Sequence, residues 1–220
     1  MLINVFLDFD DTIFPSHFMS KFYHCNKGLF VPPSLFIEKL QILDRLIANF
    51  ISKHMSYCRF RIVTHASKRW LAQSLELLPI LQRYIEWNYV TIIQCEEKIS
   101  KQDRLYDIIA REKSTDIYFC CGDSLPDINA VPSIVKKLGL DAKIRSILFI
   151  KQPSIESLQI QWEKIHESFI ELMKDETKWI NRHFTVIENC EHSPDPNWYN
   201  VITLDSTFAE RIKDSTNNDS

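Results

Sequence analysis

Short apolar runs alternate with amphipathic stretches along the first 150 residues of the chain. The apolar runs have the length of strands, whereas the stretches between them repeat apolar residues at the three- and four-residue spacing of helices. Strands that alternate with helices predict a parallel sheet covered by helices. The predicted strands span residues 2–8, 59–64, 89–94, 116–121 and 145–151.

The helical stretches predict a three-layer α/β sandwich. We expect the strand order to be about 3-2-1-4-5, the order in which the polar residues at the strand ends would converge. Pro79 is expected to stop the second helix, Pro132 to bend or restart the fourth, and the fifth to dock on the sheet. We expect one domain over residues 1–180 and an extension over 181–220, whose end has the composition of a disordered segment or linker. The predicted helices span residues 34–53, 67–78, 100–113, 128–138 and 154–178.

The charge, the apolar runs and the cysteines of the chain indicate which partners and which cellular compartment to expect. The net charge is -3 and the lysines and arginines are scattered, which argues against a nucleic-acid partner. No stretch approaches the roughly 18 apolar residues of a membrane span. Six cysteines without Cys-x-x-Cys spacing are typical of buried, reduced thiols, so we expect a cytoplasmic protein.

Acidic and phosphate-binding residue types follow several of the predicted strands. Ligands of open parallel sheets bind at the carboxyl ends of the strands, where these residues are expected to converge. Crowded carboxylates are costly to bury unless a positive charge lies among them, so a metal ion is expected there. The residues are Asp8, Asp10, Asp11, Thr64, Lys101, Asp123 and Asp127.

Taken singly, an acid after a strand is most often a turn or cap residue. Together and in order, these residues resemble the four motifs of the haloacid dehalogenase-like superfamily over residues 1–151. Asp8-Phe9-Asp10-Asp11-Thr12 is similar to the first motif, Asp-x-Asp-x-Thr; Thr64 is similar to the second, and Gly-Asp-Ser-Leu-Pro-Asp at 122–127 to the fourth. Lys101 is preferred as the third motif because it directly precedes a helix, and Lys98 is the alternative.

The first motif suggests the chemistry of phosphate-ester hydrolysis. A carboxylate with an ordinary pKa of about 3.9 is ionised at neutral pH, so Asp8 can attack phosphorus without a base. Asp10, two residues on, is placed to give the leaving alcohol a proton and to activate water against the acyl phosphate.

The resemblance also implies a cofactor and the residues that hold it. It assigns Mg2+ to Asp8, the Asp10 carbonyl and Asp123, with Asp127 in the inner or outer shell, in agreement with the preference of that ion for oxygen ligands. Thr64 and Lys101 would hold the phosphoryl oxygens.

The substrate class is predicted from the space left for a cap. Residues 67–100 are expected to form one helix and one strand, and residues 14–31 at most a small flap carrying Phe18, Phe22 and Tyr23. An open site favours a phosphorylated protein or peptide, and the chain is similar to magnesium-dependent protein phosphatases, including those that act on phosphotyrosine. A phosphatase for nucleotides or other small phosphate esters is one alternative, and a catalytically inactive, phosphate-dependent binding module is another. The extended C-terminus is faintly similar to that of bacterial effector phosphatases, which are delivered into host cells.

Overall fold

The computed structural model describes residues 2–23, 32–96, 98–112, 115–187 and 201–205. Along this part of the chain, one or two helices separate each strand from the next, up to the last two strands. The elements are β1 (Ile3–Leu7), α1 (Ser16–Tyr23), α2 (Ser34–His54), β2 (Cys58–Thr64), α3 (Lys68–Leu75), α4 (Pro79–Glu86), β3 (Val90–Gln94), α5 (Lys101–Arg111), β4 (Ile117–Gly122), α6 (Leu125–Leu138), β5 (Lys143–Leu148), α7 (Ile155–Lys174), β6 (Trp179–Ile187) and β7 (Val201–Asp205).

The sheet has the order β3-β2-β1-β4-β5-β6-β7. Its first six strands are parallel, and β7 pairs antiparallel with β6 at the edge. The predicted α/β class and the order 3-2-1-4-5 are confirmed. β6 adds a sixth parallel strand, and because it begins at residue 179 it crosses the position where we expected the C-terminal extension to start.

Two apolar layers hold the sheet between helices. All five residues of the central strand β1 are buried, as expected for a strand covered on both faces. Val5 belongs to the layer under α2 and α7, where Phe50 packs edge to face against Phe169 with ring centroids 4.9 Å apart. Phe6 belongs to the opposite layer, under α5 and α6. The alternation along β1 thus produces the three-layer sandwich.

The prediction of a single helix between residues 67 and 100 was wrong, because this segment contains two helices. α3 ends at Leu75, and Pro79 begins α4. Proline suits a first helical position, where its missing N–H leaves no hydrogen bond unmade. The N–H groups of Ile80 and Leu81 donate to the buried carboxylate of Asp44 on α2, at 2.8 and 2.9 Å. A cap supplied from a distant helix therefore starts α4.

α6 differs from its prediction at Pro132. The helix starts at residue 125, three residues before the predicted start, and runs through Pro132 as one element. A proline inside a helix leaves the carbonyl four residues earlier without its usual N–H donor. Here that carbonyl belongs to Ile128, and the Ser146 hydroxyl of β5 donates to it at 3.3 Å. The neighbouring strand compensates for the missing bond.

α7 docks on the sheet as predicted but ends at residue 174 rather than 178. The fully buried Arg145 of β5 donates to the carbonyls of Leu172 and Asp175 at 2.6 Å and of Thr177 at 2.8 Å. These contacts bind the last turn of α7 and the chain leading to β6. Within the described ranges, no helix has the length and apolar character needed to cross a membrane.

Candidate functional site

Three carboxylates meet at the carboxyl end of the two central strands. β1 and β4 are neighbours in register, and the Asp8 N–H extends their ladder to the Cys121 carbonyl at 2.9 Å. Asp123 follows β4, and Asp127 lies in the first turn of α6. One oxygen from each of Asp8, Asp123 and Asp127 lies within 4.8 Å of the other two. This trio of oxygen donors could hold a metal ion.

Glycine at 122 is required by the close approach of Asp127. A Cβ atom added to Gly122 would lie 2.5 Å from the Cβ of Asp127, which is closer than such atoms pack. The Ser124 hydroxyl donates to the Asp127 carboxylate and orients it. The Gly-Asp-Ser-Leu-Pro-Asp segment thus folds its last acid back over the end of β4.

Lys101 supplies the positive charge nearest to this trio. Its ammonium forms ion pairs with Asp8 and with Asp127, the latter at 2.6 Å, and these side chains are at most 13% exposed. Ser100 caps α5 by accepting the Asp103 N–H at 3.0 Å, which fixes Lys101 as the first helical residue. Lys98 lies exposed in the preceding turn. Of the two lysines, the structure therefore places Lys101 against the acids.

Burial raises the pKa of two of these carboxyl groups, Asp8 and Asp123. It raises the pKa of Asp8 well above its usual value, although the Lys101 ammonium opposes the shift. Burial and the nearby Asp127 raise the pKa of Asp123 to about 6. Burial therefore opposes the ordinary pKa that we expected for Asp8. A divalent cation at the trio would favour the ionised carboxylates.

Thr64 ends β2, the other neighbour of β1, and is fully buried. Its hydroxyl oxygen accepts the Ala66 N–H at 2.8 Å. A hydroxyl that accepts one bond still carries a proton to donate. Thr64 can therefore offer an O–H to an anion at this edge of the sheet.

Asp10 lies on a tight turn that follows β1. The Phe9 carbonyl accepts the N–H groups of Ile13 and Phe14 at 2.9 Å, which closes the turn. The Asp10 carboxylate accepts the Ser16 hydroxyl and the Trp70 indole N–H, the latter at 3.1 Å. Its side chain is thus held by α1 and α3, and among the described residues the carboxylate group that could hold a metal does not include it.

Two further contacts fix the turn. Asp11 has a positive φ of 55° and is buried, and its carboxylate accepts the His17 N–H at 2.9 Å, so it caps α1. The indole N–H of Trp162 on α7 donates to the Thr12 carbonyl at 2.8 Å in the buried core. The turn that carries Asp10 is therefore fixed from two sides of the molecule.

Sequence reasoning did not identify Ser16, Trp70 and Trp162 as neighbours of the site. Both tryptophans lie in helices that were predicted from apolar spacing, and that spacing contains no information about where an indole N–H points. The adjacency of β1 and β2 is the available signal for Trp70, because α3 directly follows β2.

The predicted flap is described in part. The Phe18 ring packs edge to face on Phe36 of α2, with centroids 5.4 Å apart. The side chains of Phe22 and Tyr23 lie outside the described residues, as do residues 24–31. α1 itself begins two residues after Phe14, beside the Asp10 turn.

Comparisons with known proteins do not assign the chain to a family. No protein-family model matches the chain, and no curated protein matches it in sequence. Among solved structures, the chain is similar to the Legionella pneumophila effector Ceg4, crystallised with an N-terminal yeast Hog1p sequence. The TM-score is 0.44 and the identity 11%, over 78% of this chain and 95% of that chain. A similarity of this size carries no argument about function.

Proposed function

We propose that the chain is a Mg2+-dependent phosphohydrolase that cleaves phosphate monoesters through a phosphoryl group transferred to Asp8. One observation carries the proposal: the carboxylates of Asp8, Asp123 and Asp127 converge at the carboxyl end of a parallel sheet, where the Lys101 ammonium pairs with Asp8 and Asp127. This is the edge at which open α/β sheets bind ligands. The order of the residues also resembles that of haloacid dehalogenase-like phosphatases.

The donor set fits a hard divalent cation. Asp8, Asp123 and Asp127 offer carboxylate oxygens, and the Asp10 carbonyl is the further ligand implied by the superfamily resemblance. When bound, the ion would keep the buried carboxylates ionised and offset the negative charge of the phosphoryl oxygens.

The residues divide the reaction between them. An Asp8 oxygen bonds to phosphorus as the ester P–O bond breaks, and Asp10 gives its proton to the departing oxygen. In the second half, Asp10 takes a proton from water, the water oxygen bonds to phosphorus, and the bond from Asp8 breaks. Thr64 and Lys101 donate to the phosphoryl oxygens throughout.

We assign the substrate to the phosphorylated proteins, with phosphotyrosine favoured. The described part of residues 67–100, which leaves out residue 97, contains α3, α4 and β3 and no inserted cap domain. An open site must bind through surface contacts, which a peptide supplies better than a small metabolite. The rigid arm of phosphotyrosine would reach the recessed Asp8, with the aromatic flap of Phe18, Phe22 and Tyr23 beside its ring.

The test is a substrate panel with a nucleophile variant. Phosphotyrosine, phosphoserine and phosphothreonine peptides are compared with glucose 6-phosphate and nucleoside monophosphates, in Mg2+, for the natural chain and Asp8→Asn. We expect phosphopeptide turnover in the natural chain, none in Asp8→Asn, and ordinary turnover in the control Asp107→Asn, which changes an exposed acid on α5.

Each alternative has its own outcome in this panel. A metabolite preferred by tenfold in kcat/KM, about 1.4 kcal/mol of transition-state preference, would identify a small-ester phosphatase. Tight binding of phosphopeptides without turnover of any substrate would identify a binding module.

A further inference from the structure

Two hydrogen-bond donors from different helices meet on one oxygen of Asp10. The hydroxyl of Ser16, at the start of α1, donates to Oδ1, and Nε1 of Trp70 on α3 donates to the same atom at 3.1 Å. Trp70 Nε1 also lies 3.2 Å from the Ser16 oxygen, so the three groups form one closed cluster. The Trp70 ring packs edge to face on the buried Phe14, with centroids 5.9 Å apart.

We propose that Ser16 and Trp70 are positioning residues that fix the Asp10 carboxyl group and leave its second oxygen, Oδ2, to exchange protons with the substrate and with water. This inference rests on the proposed function, because it assigns a task to the residue that we place as acid and base.

The argument follows from the chemistry of the donors. An indole N–H can only donate, so the oxygen that it contacts must act as an acceptor. Oδ1 accepts from both Trp70 and Ser16, and a protonated Asp10 therefore carries its proton on Oδ2. That proton passes from Oδ2 to the ester oxygen as the P–O bond breaks, and Oδ2 later takes one proton from the attacking water. The number of protons on Asp10 is restored after each turnover.

A packing role for Trp70 is the competing interpretation. The ring is half-buried and contacts Phe14, so its loss would disturb the turn that carries Asp10. Trp70→Phe separates the two roles, because the phenyl ring keeps most of the contact area and lacks the N–H. Ser16→Ala removes the other donor with little change in volume.

The leaving group provides a kinetic readout that a packing role would not change. p-Nitrophenolate leaves without a proton, whereas the less acidic phenol of tyrosine needs one in the transition state. We expect Trp70→Phe and Ser16→Ala each to lower kcat on a phosphotyrosine peptide about tenfold, with KM within about twofold, and to lower kcat on p-nitrophenyl phosphate by less than about threefold. The control Trp87→Phe changes a tryptophan that is 61% exposed, and should alter neither substrate.

A second readout does not depend on activity. The indole N–H signal of Trp70 in a nitrogen–proton NMR spectrum is identified by its loss in Trp70→Phe. We expect Asp10→Ala to shift this signal towards the position of a solvent-exposed indole, because the nearer of the two acceptor oxygens, at 3.1 and 3.2 Å, has been removed. Asp107→Asn should leave the signal in place.

The outcomes are distinguishable. Equal losses on both phosphate esters, or an indole signal that ignores Asp10→Ala, would overturn the positioning role while the phosphatase proposal stands. A natural chain that hydrolyses neither ester would refute the proposed function, and the catalytic task of Ser16 and Trp70 with it.

Discussion

Replacing Lys101 with methionine tests how the buried acids are held. Methionine keeps much of the aliphatic chain and removes the ammonium that pairs with Asp8 and Asp127. Asp8, Lys101 and Asp127 have side chains that are 7, 10 and 13% exposed. Water can therefore replace little of the lost interaction. The matched control is Lys98→Met, three residues earlier on an exposed turn.

The expected size of the effect follows from this burial. Removing one partner of a buried ion pair costs about 3–5 kcal/mol, because the other charge is left unpaired. Asp8 can reduce that cost by taking up a proton, since burial already raises its pKa. We therefore expect Lys101→Met to lower the free energy of unfolding by about 3 kcal/mol at pH 8 in EDTA, and Lys98→Met by less than about 0.5 kcal/mol.

The pH dependence of this difference has a definite sign. With a raised pKa, the folded Asp8 binds a proton that the unfolded chain has released, so the contribution of Asp8 to the free energy of unfolding increases as the pH falls. Without the ammonium the pKa of Asp8 is higher still. Lys101→Met should thus recover stability relative to the natural chain between pH 8 and pH 5.

Urea unfolding, followed by circular dichroism, measures these differences in EDTA and again in Mg2+. Mg2+ should stabilise Lys101→Met at least as much as it stabilises the natural chain, because the ammonium no longer competes for the carboxylates. At a Mg2+ concentration of a hundred times Kd, binding adds about 2.7 kcal/mol to the free energy of unfolding. A variant as stable as the natural chain at pH 8 in EDTA would refute the buried ion pairs. Stability unaffected by Mg2+ in both proteins would refute the metal site.

Three other outcomes are expected. A chelator should abolish phosphatase activity and added Mg2+ should restore it; turnover that persists in EDTA would contradict the metal requirement. Asp44→Ala should lower the free energy of unfolding by about 1–2 kcal/mol through loss of the α4 cap, against no measurable change for the exposed Glu38→Ala on the same helix. Burial lowers the pKa of His54 to about 4, so the unfolded state takes up a proton on this histidine before the folded state does. As a result, the contribution of His54 to stability should fall by about 2–3 kcal/mol from pH 6.5 to pH 4. His54→Phe should lose this pH dependence, and the control His65→Gln, which changes an exposed histidine, should keep it.

The central strands and their parallel direction were predictable because they depend on local patterns. Each central strand is an apolar run that is buried on both faces, and the helices between strands fix parallel pairing. The acids at the strand ends were predictable for a related reason. Once β1 and β4 are neighbours, Asp8 and Asp123 must lie at one edge of the sheet.

The errors arise where a distant residue changes a local preference. Pro79 was expected only to stop a helix, but Asp44 on α2 caps a new helix at this position. Pro132 was expected to bend or restart α6, but α6 does not restart there, and Ser146 on β5 satisfies the carbonyl that the proline leaves free. Neither partner lies within reach of the sequence windows on which helix prediction depends.

The buried position of Asp8 links its reactivity to the cation. A carboxylate with little water around it is a better nucleophile, but burial also raises its pKa and so favours the protonated, unreactive form. Lys101 opposes this shift without cancelling it, and its ammonium is shared with Asp127. A second positive charge would lower the pKa of Asp8 and favour its reactive, ionised form, and the carboxylates of Asp123 and Asp127 lie where they could hold that charge. On this argument, the reaction requires the metal because the metal ionises the nucleophile. A variant that weakens Mg2+ binding, such as Asp123→Asn, should therefore lose activity mainly through kcat. Raising the Mg2+ concentration should restore part of that loss.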